Sequence, residues 1–376
     1  MTSYCILICH FQCCTFIKGK MLIKERCNYR KYKTMKINFN LTLCILLLSA
    51  FSPSSNQQRT LTQSKSKTSP VYIIFDTDIA GDYDDVGAMA LLHAFADKGE
   101  IKILATISSN AFQTTIPTIS VLNTYFGRPE IPCGITKRQL PNQACSQKWA
   151  EAIIAKYPHN LKSNEEAMDA VKLYRKILAK QKDQSVTIVT VGFFTNLAGL
   201  LESKADEYSA LNGKDLIKKK VKLLISMAAA LPEGKDRGSE YNVNVDAASS
   251  QKVFSEWNTP FILSPFGIGE KIFTGIRLIN NTAIKNSPVK DAFQIALNFD
   301  KNTTGRMSWD QTAVLVAARG YETYFNSKKI NLKIEDDGSN VLIPGEKFIW
   351  LSFKKAPLDI QTEIEDLMMH QPKVKK

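Results

Sequence analysis

The chain has 376 residues, enough for one large domain or two ordinary ones at about 150 residues each, and its 44% hydrophobic, 23% charged composition excludes collagen-like, low-complexity and polytopic membrane classes. A net charge of +13 would point to nucleic acid or an anionic membrane only if it lay on the folded body. It does not: residues 1–70 hold eleven Lys and Arg against one acid, Glu25, which leaves residues 71–376 with a net of only +3 and no reason to expect a nucleic-acid partner.

The leader is as lopsided in cysteine as in charge, holding six of the eight, at Cys5, Cys9, Cys13, Cys14, Cys27 and Cys44. Their spacing lacks the paired pattern of a metal module, and no matching set of His accompanies them. From Met35 a short basic start leads into an apolar run at 41–51 and then small residues, the layout of a secretory signal peptide and too short to span a bilayer. Residues 1–34 then read as an upstream over-extension, 35–52 as the signal peptide and 53–70, rich in Ser, Gln, Thr and Lys, as a flexible tether. A periplasmic or secreted protein is expected, with no membrane attachment after cleavage. Cys133 and Cys145 would be the mature thiols and could pair in an oxidising compartment.

The body, 71–376, alternates short apolar runs with amphipathic stretches. Runs at 71–75, 101–107, 186–191, 221–227 and 261–264 predict buried strands, and patterns at 85–96, 114–126, 163–181, 196–202 and 246–256 predict helices. Ser163 and Glu166 predict a capping box for the third helix. The expected fold is α/β, a single-domain Rossmann-like open sheet, mostly parallel and flanked by helices, with its ligand site at the carboxyl ends of the strands. The tail predicts strands at 330–334 and 347–353 and a terminal helix at 358–369.

Directly after the first strand come Asp76, Asp78, Asp82, Asp84 and Asp85, with Gly81 among them. Like charges this close resist joint ionisation, so a hard divalent cation such as Ca²⁺ or Mg²⁺ is the natural partner. Polar residues recur at later strand ends: Ser109-Asn110, Gly192 to Ala198, Glu240-Tyr241-Asn242, and Asp310 opening a helix after Trp309.

This series resembles the inosine-uridine-preferring nucleoside hydrolase family, in particular a bacterial exported subgroup, from about Tyr72 to Gly320. The resemblance implies Ca²⁺-dependent hydrolysis of the N-glycosidic bond of a small nucleoside or other riboside by a homodimer or homotetramer. It implies Asp78, Asp85, the carbonyl of Val191 and Asp310 as metal ligands, with Asp78 also the base that deprotonates the metal-bound water. Asp84, Asn110, Glu240 and Asn242 would bind the sugar. Trp309 stands where several members carry the His that protonates the departing base, and would either stack on that base or pack at the helix start. Further departures are the additional Asp82 and Ala228-Ala229 in place of Gly-Gly. Two rivals remain open: a Mg²⁺-dependent phosphohydrolase with Asp76 as nucleophile, and a riboside-binding protein without turnover.

Overall fold

The computed structural model describes residues 69–138 and 141–372. The over-extension, the signal peptide and the tether up to Thr68 lie outside the described residues. In chain order the elements are β1 (Val71–Thr77), α1 (Asp84–Lys98), β2 (Ile101–Ser108), α2 (Thr115–Tyr125), β3 (Cys133–Ile135), α3 (Trp149–Lys156), β4 (Met168–Asp169), α4 (Ala170–Lys180), β5 (Val186–Thr190), α5 (Thr195–Glu202), α6 (Gly213–Lys220) and β6 (Val221–Met227). There follow β7 (Arg237–Gly238), α7 (Tyr241–Val245), α8 (Ala247–Glu256), β8 (Phe261–Ser264), α9 (Phe266–Gly269), β9 (Phe273–Thr274), α10 (Ile276–Asn280), α11 (Pro288–Phe299), β10 (Arg306–Met307), α12 (Trp309–Arg319), β11 (Phe325–Ile334), β12 (Asn340–Phe353) and α13 (Pro357–Met368). Among the described residues no helix is long and apolar enough to cross a membrane.

The main sheet runs β11-β12-β8-β6-β5-β1-β2-β3-β4, and every pairing from β12 to β4 along it is parallel. β1 lies between β2 and β5: the chain first builds outward through β2, β3 and β4, then restarts on the other side with β5 and β6. That reversal leaves a crevice at the carboxyl ends of β1 and β5, the usual ligand position in such sheets. The two faces carry separate cores. Helices α1, α2, α11, α12 and α13 cover one, where Phe75, Leu91, Phe293, Leu315 and Ile364 are buried together, and α4, α5, α6 and α8 cover the other around Ile74, Leu173, Leu197 and Phe254. Alternate residues of β1 therefore feed opposite cores, as a period of two requires.

Most expected elements form within a residue or two. The helix expected at 163–181 is an exception, because Met168 and Asp169 pair with Gly134 and Ile135 as an edge strand. Ladder formation wins there over the capping box: Ser163 makes no side-chain cap, and α4 starts at Ala170, with the Asp169 side chain accepting from the Lys172 amide at 2.9 Å. The tail strands extend further than their apolar cores suggested, into the long antiparallel hairpin β11–β12. Cys133 and Cys145, which could have paired, are both free and buried. Cys133 lies on β3 against Thr106 and Asn123, whereas Cys145 contacts Gln147 in the loop before α3.

Candidate active site

Asp76 and Asp78 lie two residues apart at the end of β1 and part company there. Asp76 is enclosed on the α4/α5 face, accepting from the Tyr174 hydroxyl at 2.8 Å and from the Asn196 amide at 3.1 and 3.2 Å. Burial pushes its carboxyl up to about 7 against those hydrogen bonds. Asp78 leaves the strand into the crevice, which is a cavity of about 270 Å³ lined also by Asp82, Asp84, Asp85, Val191, Glu240, Asn242, Arg306, Trp309 and Asp310. Gly192 lets the turn after β5 approach this point: a Cβ there would lie 2.4 Å from the Asp78 amide nitrogen.

Packing of α1 on α12 brings two helix N-termini together at the cavity. Asp84 serves both, opening α1 while accepting from the Trp309 and Asp310 amides of α12 at 3.2 and 3.3 Å. Asp85 accepts from the Thr77 hydroxyl. Asp84, Asp85 and Asp310 each turn a carboxylate oxygen to within 4.8 Å of the others, and all three are buried. Burial raises every carboxyl of this group, and the neighbours raise it further. Asp84 reaches about 8 with Asp85 beside it, Asp78 and Asp310 rise next because of Asp84, and Asp85 because of Asp78.

The trio is hard, all-oxygen and buried without a base of its own, which is the donor chemistry of a divalent cation site. Among the described residues Arg306 alone of those lining the cavity is a cation, and it pairs with Asp82. The residues present therefore fit a metal ion. The resemblance implied Asp78 in the tight group and Asp84 on the sugar; the structure clusters Asp84 with Asp85 and Asp310 and sets Asp78 on the same cavity outside that trio.

On the far wall, Glu240 caps α7, accepting from the Asn242, Val243 and Ala229 amides at 2.9, 3.3 and 3.3 Å; burial nevertheless pushes it up to about 7. The Asn242 amide donates to the Val191 carbonyl at 2.8 Å and fixes its direction. Ala229 takes the left-handed conformation that Gly would favour, with φ of 67°, and both Ala228 and Ala229 are absorbed into the core.

Asn110 is not brought into the cavity. Its amide donates to the Asp78 and Gln143 carbonyls at 3.1 and 2.8 Å and accepts from the Phe112 and Gln143 amides at 3.1 and 2.8 Å. With all four positions engaged it clamps the acidic loop from behind.

A model of the inosine-uridine preferring nucleoside hydrolase family matches residues 73–357. The chain belongs to that family. It is therefore an N-glycosyl hydrolase of the class that acts on small nucleosides. Solved nucleoside hydrolases share the fold at low identity. A plant enzyme, PpNRh1, is 15% identical with a TM-score of 0.61, covering 80% of this chain and 99% of its own. The purine-preferring ribonucleoside hydrolase of Gardnerella vaginalis is 15% identical at 0.60, covering 79% and 99%. The inosine-uridine preferring enzyme of Bacillus anthracis is 15% identical at 0.60, covering 80% and 99%. No curated protein matches the sequence.

In this nucleoside hydrolase, Trp309 both lines the cavity and packs: its indole N–H donates to the Phe266 carbonyl at 3.1 Å and its ring lies 5.1 Å from that of Phe266. Gly269 makes room for it, since a Cβ there would fall 2.3 Å from the indole. No His lines the cavity among the described residues; His93 is buried within α1. Sequence reasoning missed Tyr241, Phe266 and Arg306 as lining residues. Tyr241 stood in plain view between Glu240 and Asn242, and Arg306 four residues before Asp310; nothing in the sequence marked Phe266.

Proposed function

We propose that the protein hydrolyses the N-glycosidic bond of purine or pyrimidine ribonucleosides in a Ca²⁺-dependent reaction, with Asp78 as the base. Asp84, Asp85 and Asp310 would hold the ion, with Asp78 and the Val191 carbonyl completing the protein's donors. A bound Ca²⁺ supplies charge neutralisation, a hold on sugar hydroxyls and a lowered pKa for water. The observation that carries the reading is the buried carboxylate trio without a base of its own, set at the topological switch point of a nucleoside hydrolase fold.

Asp78, at the open end of β1, takes the proton of the attacking water. As the water oxygen bonds the anomeric carbon, the C–N bond breaks and its electron pair leaves with the base. The positive character that develops on the sugar faces the ring of carboxylates, which stabilises it. Glu240 and Asn242 hold the sugar from the opposite wall. The phosphohydrolase rival loses its nucleophile, because Asp76 points away from the cavity into the α4/α5 core. Export ahead of this chemistry belongs to the same reading, on the strength of the sequence at 35–52, as does assembly into a homodimer or homotetramer.

Released base and ribose, quantified by chromatography over a panel of nucleosides, tests the reading. Turnover with Ca²⁺ is expected, with loss on chelation and a fall of about 10²–10⁴-fold in Asp78→Ala. Binding of ribosides with no release from any of them would overturn it and leave a binding protein.

A further inference from the structure

Among the described residues one cation lines this acidic cavity, and nothing in the proposed reaction yet uses it. Arg306 enters from β10. Its guanidinium carbon lies 4.9 Å from the Trp309 ring centroid and 5.4 Å from that of Tyr83, and its Nη2 donates to the Asp82 carboxylate. Guanidinium stacked on two rings and paired at one corner is held in place, with a large part of its rotamer freedom already lost. Asp82 is the residue that the acidic loop has in addition to the common family pattern, and the ion pair gives it a use.

The cavity has two kinds of wall. Asp78, Asp84, Asp85 and Asp310, with Glu240 facing them from the opposite wall, make the acidic part that suits a polyhydroxylated sugar, whereas Trp309 and Phe266 make an aromatic part that suits a nucleobase. Arg306 rests on the aromatic wall. Scission of the C–N bond sends an electron pair to the base, and among the described residues no His lines this cavity to protonate it.

We propose that Arg306 is the leaving-group residue, its guanidinium donating a hydrogen bond to the departing base where negative charge gathers, with Asp82 as the positioning residue that holds it. Arg306 stays protonated throughout; Asp78 receives a proton from the attacking water, and the base anion takes its proton from solvent after departure. The inference rests on the hydrolase reading above.

The test compares a natural nucleoside with a riboside whose aglycone needs no such help. Steady-state kcat/KM is measured for inosine and for p-nitrophenyl β-D-riboside in the Ca²⁺-loaded full chain, as wild type, Arg306→Ala, Arg306→Lys and Asp82→Asn. Removing one preorganised donor to a developing anion lowers rate by about 10²-fold. The ratio of p-nitrophenyl riboside to inosine kcat/KM is therefore expected to rise about 100-fold in R306A, less in R306K, which keeps the charge without the fork, and less again in D82N. Activity on the activated riboside also certifies folding. Equal losses on both substrates, or no loss on inosine, would overturn the leaving-group role. Failure of the wild type on both would bring down the hydrolase reading itself, and this inference with it.

Discussion

The two ends of α1 hold their acids in opposite ways. At the N-terminal end, Asp84 and Asp85 are buried with Asp78 and Asp310, and neighbours of like charge push every one of them upward. Helix dipoles and backbone amides offer them partial positive charge and no counter-ion. At the C-terminal end, Asp97 pairs with Arg128 and, at 2.7 Å, with the His370 ring nitrogen. Burial pushes Asp97 up, but those hydrogen bonds outweigh it and hold its carboxyl below the usual range. The same residue type is neutralised within the chain at one end and left for something from outside at the other. That difference separates a structural acid from a functional one better than burial does.

The strongest way to break the comparison is to remove one carboxylate from the un-neutralised end. Ca²⁺ at a hundred times its dissociation constant adds about 2.7 kcal/mol to the native state, on the order of 5 °C in Tm for a domain of this size. Thermal melts of the wild type with Ca²⁺ and with chelator should differ by that much, and melts of Asp310→Asn should not. In chelator, Asp310→Asn should melt at or above the wild type, because one mutually repelling charge has gone. An equal Ca²⁺ shift in both proteins would show that the trio is not the site.

The second way uses pH at the other end. His93 donates or accepts at 3.0 Å with Asn123 and stacks on Phe126 at 4.6 Å, and burial, then the Arg128 cation, pushes its pKa down to about 3. The unfolded chain would protonate this imidazole near pH 6.5. Its contribution to stability is therefore complete above about 6.5 and lost progressively as the pH falls toward 3, on the order of 5 kcal/mol over the full span. Urea melts of wild type and His93→Gln between pH 8 and 4 isolate this, since other groups titrate in both. The wild type should lose its advantage on acidification; parallel curves would remove His93 as the acid-sensitive element. The N-terminal end responds in the opposite sense, because protonation relieves its repulsion in metal-free protein.

How much of this was readable in advance follows physical range. The acidic loop was legible because five carboxylates beside an apolar strand have few structural uses, and Gly192 because a strand end crowded by another loop has no room for a Cβ. Period-two alternation along β1 could not have told Asp76 from Asp78, since residues two apart share a face; they differ because the strand ends at Thr77 and Asp78 leaves it. Asn110 has the local sequence context of a site residue, while its four hydrogen bonds reach residues in three segments that only the fold brings together. Arg306, Phe266 and Tyr241 meet only after β8, β10 and α7 have docked, and no local pattern encodes such a meeting. The failed capping box at Ser163 has the same origin: β4 pairs Met168 with Gly134, a partner far back in the chain.

The smallest expected effect sharpens the paired end. Asp97 joins α1 to the C-terminal tail, for His370 also stacks over Phe126, which in turn covers His93. Asp97→Asn keeps the shape but turns an amide donor toward one of two donors, so one of the two hydrogen bonds is lost and Arg128 is left less balanced. A loss of about 1 kcal/mol is expected for such a partly exposed pair, a few degrees or less in Tm, and it should shrink in high salt as the screening length falls. Turnover of nucleosides should not change, because no atom of this cluster lines the cavity. If Asp97→Asn instead impaired turnover as deeply as loss of Asp310, the two ends of α1 would be one coupled unit, and the division between an acid completed by the chain and an acid completed by a ligand would not hold.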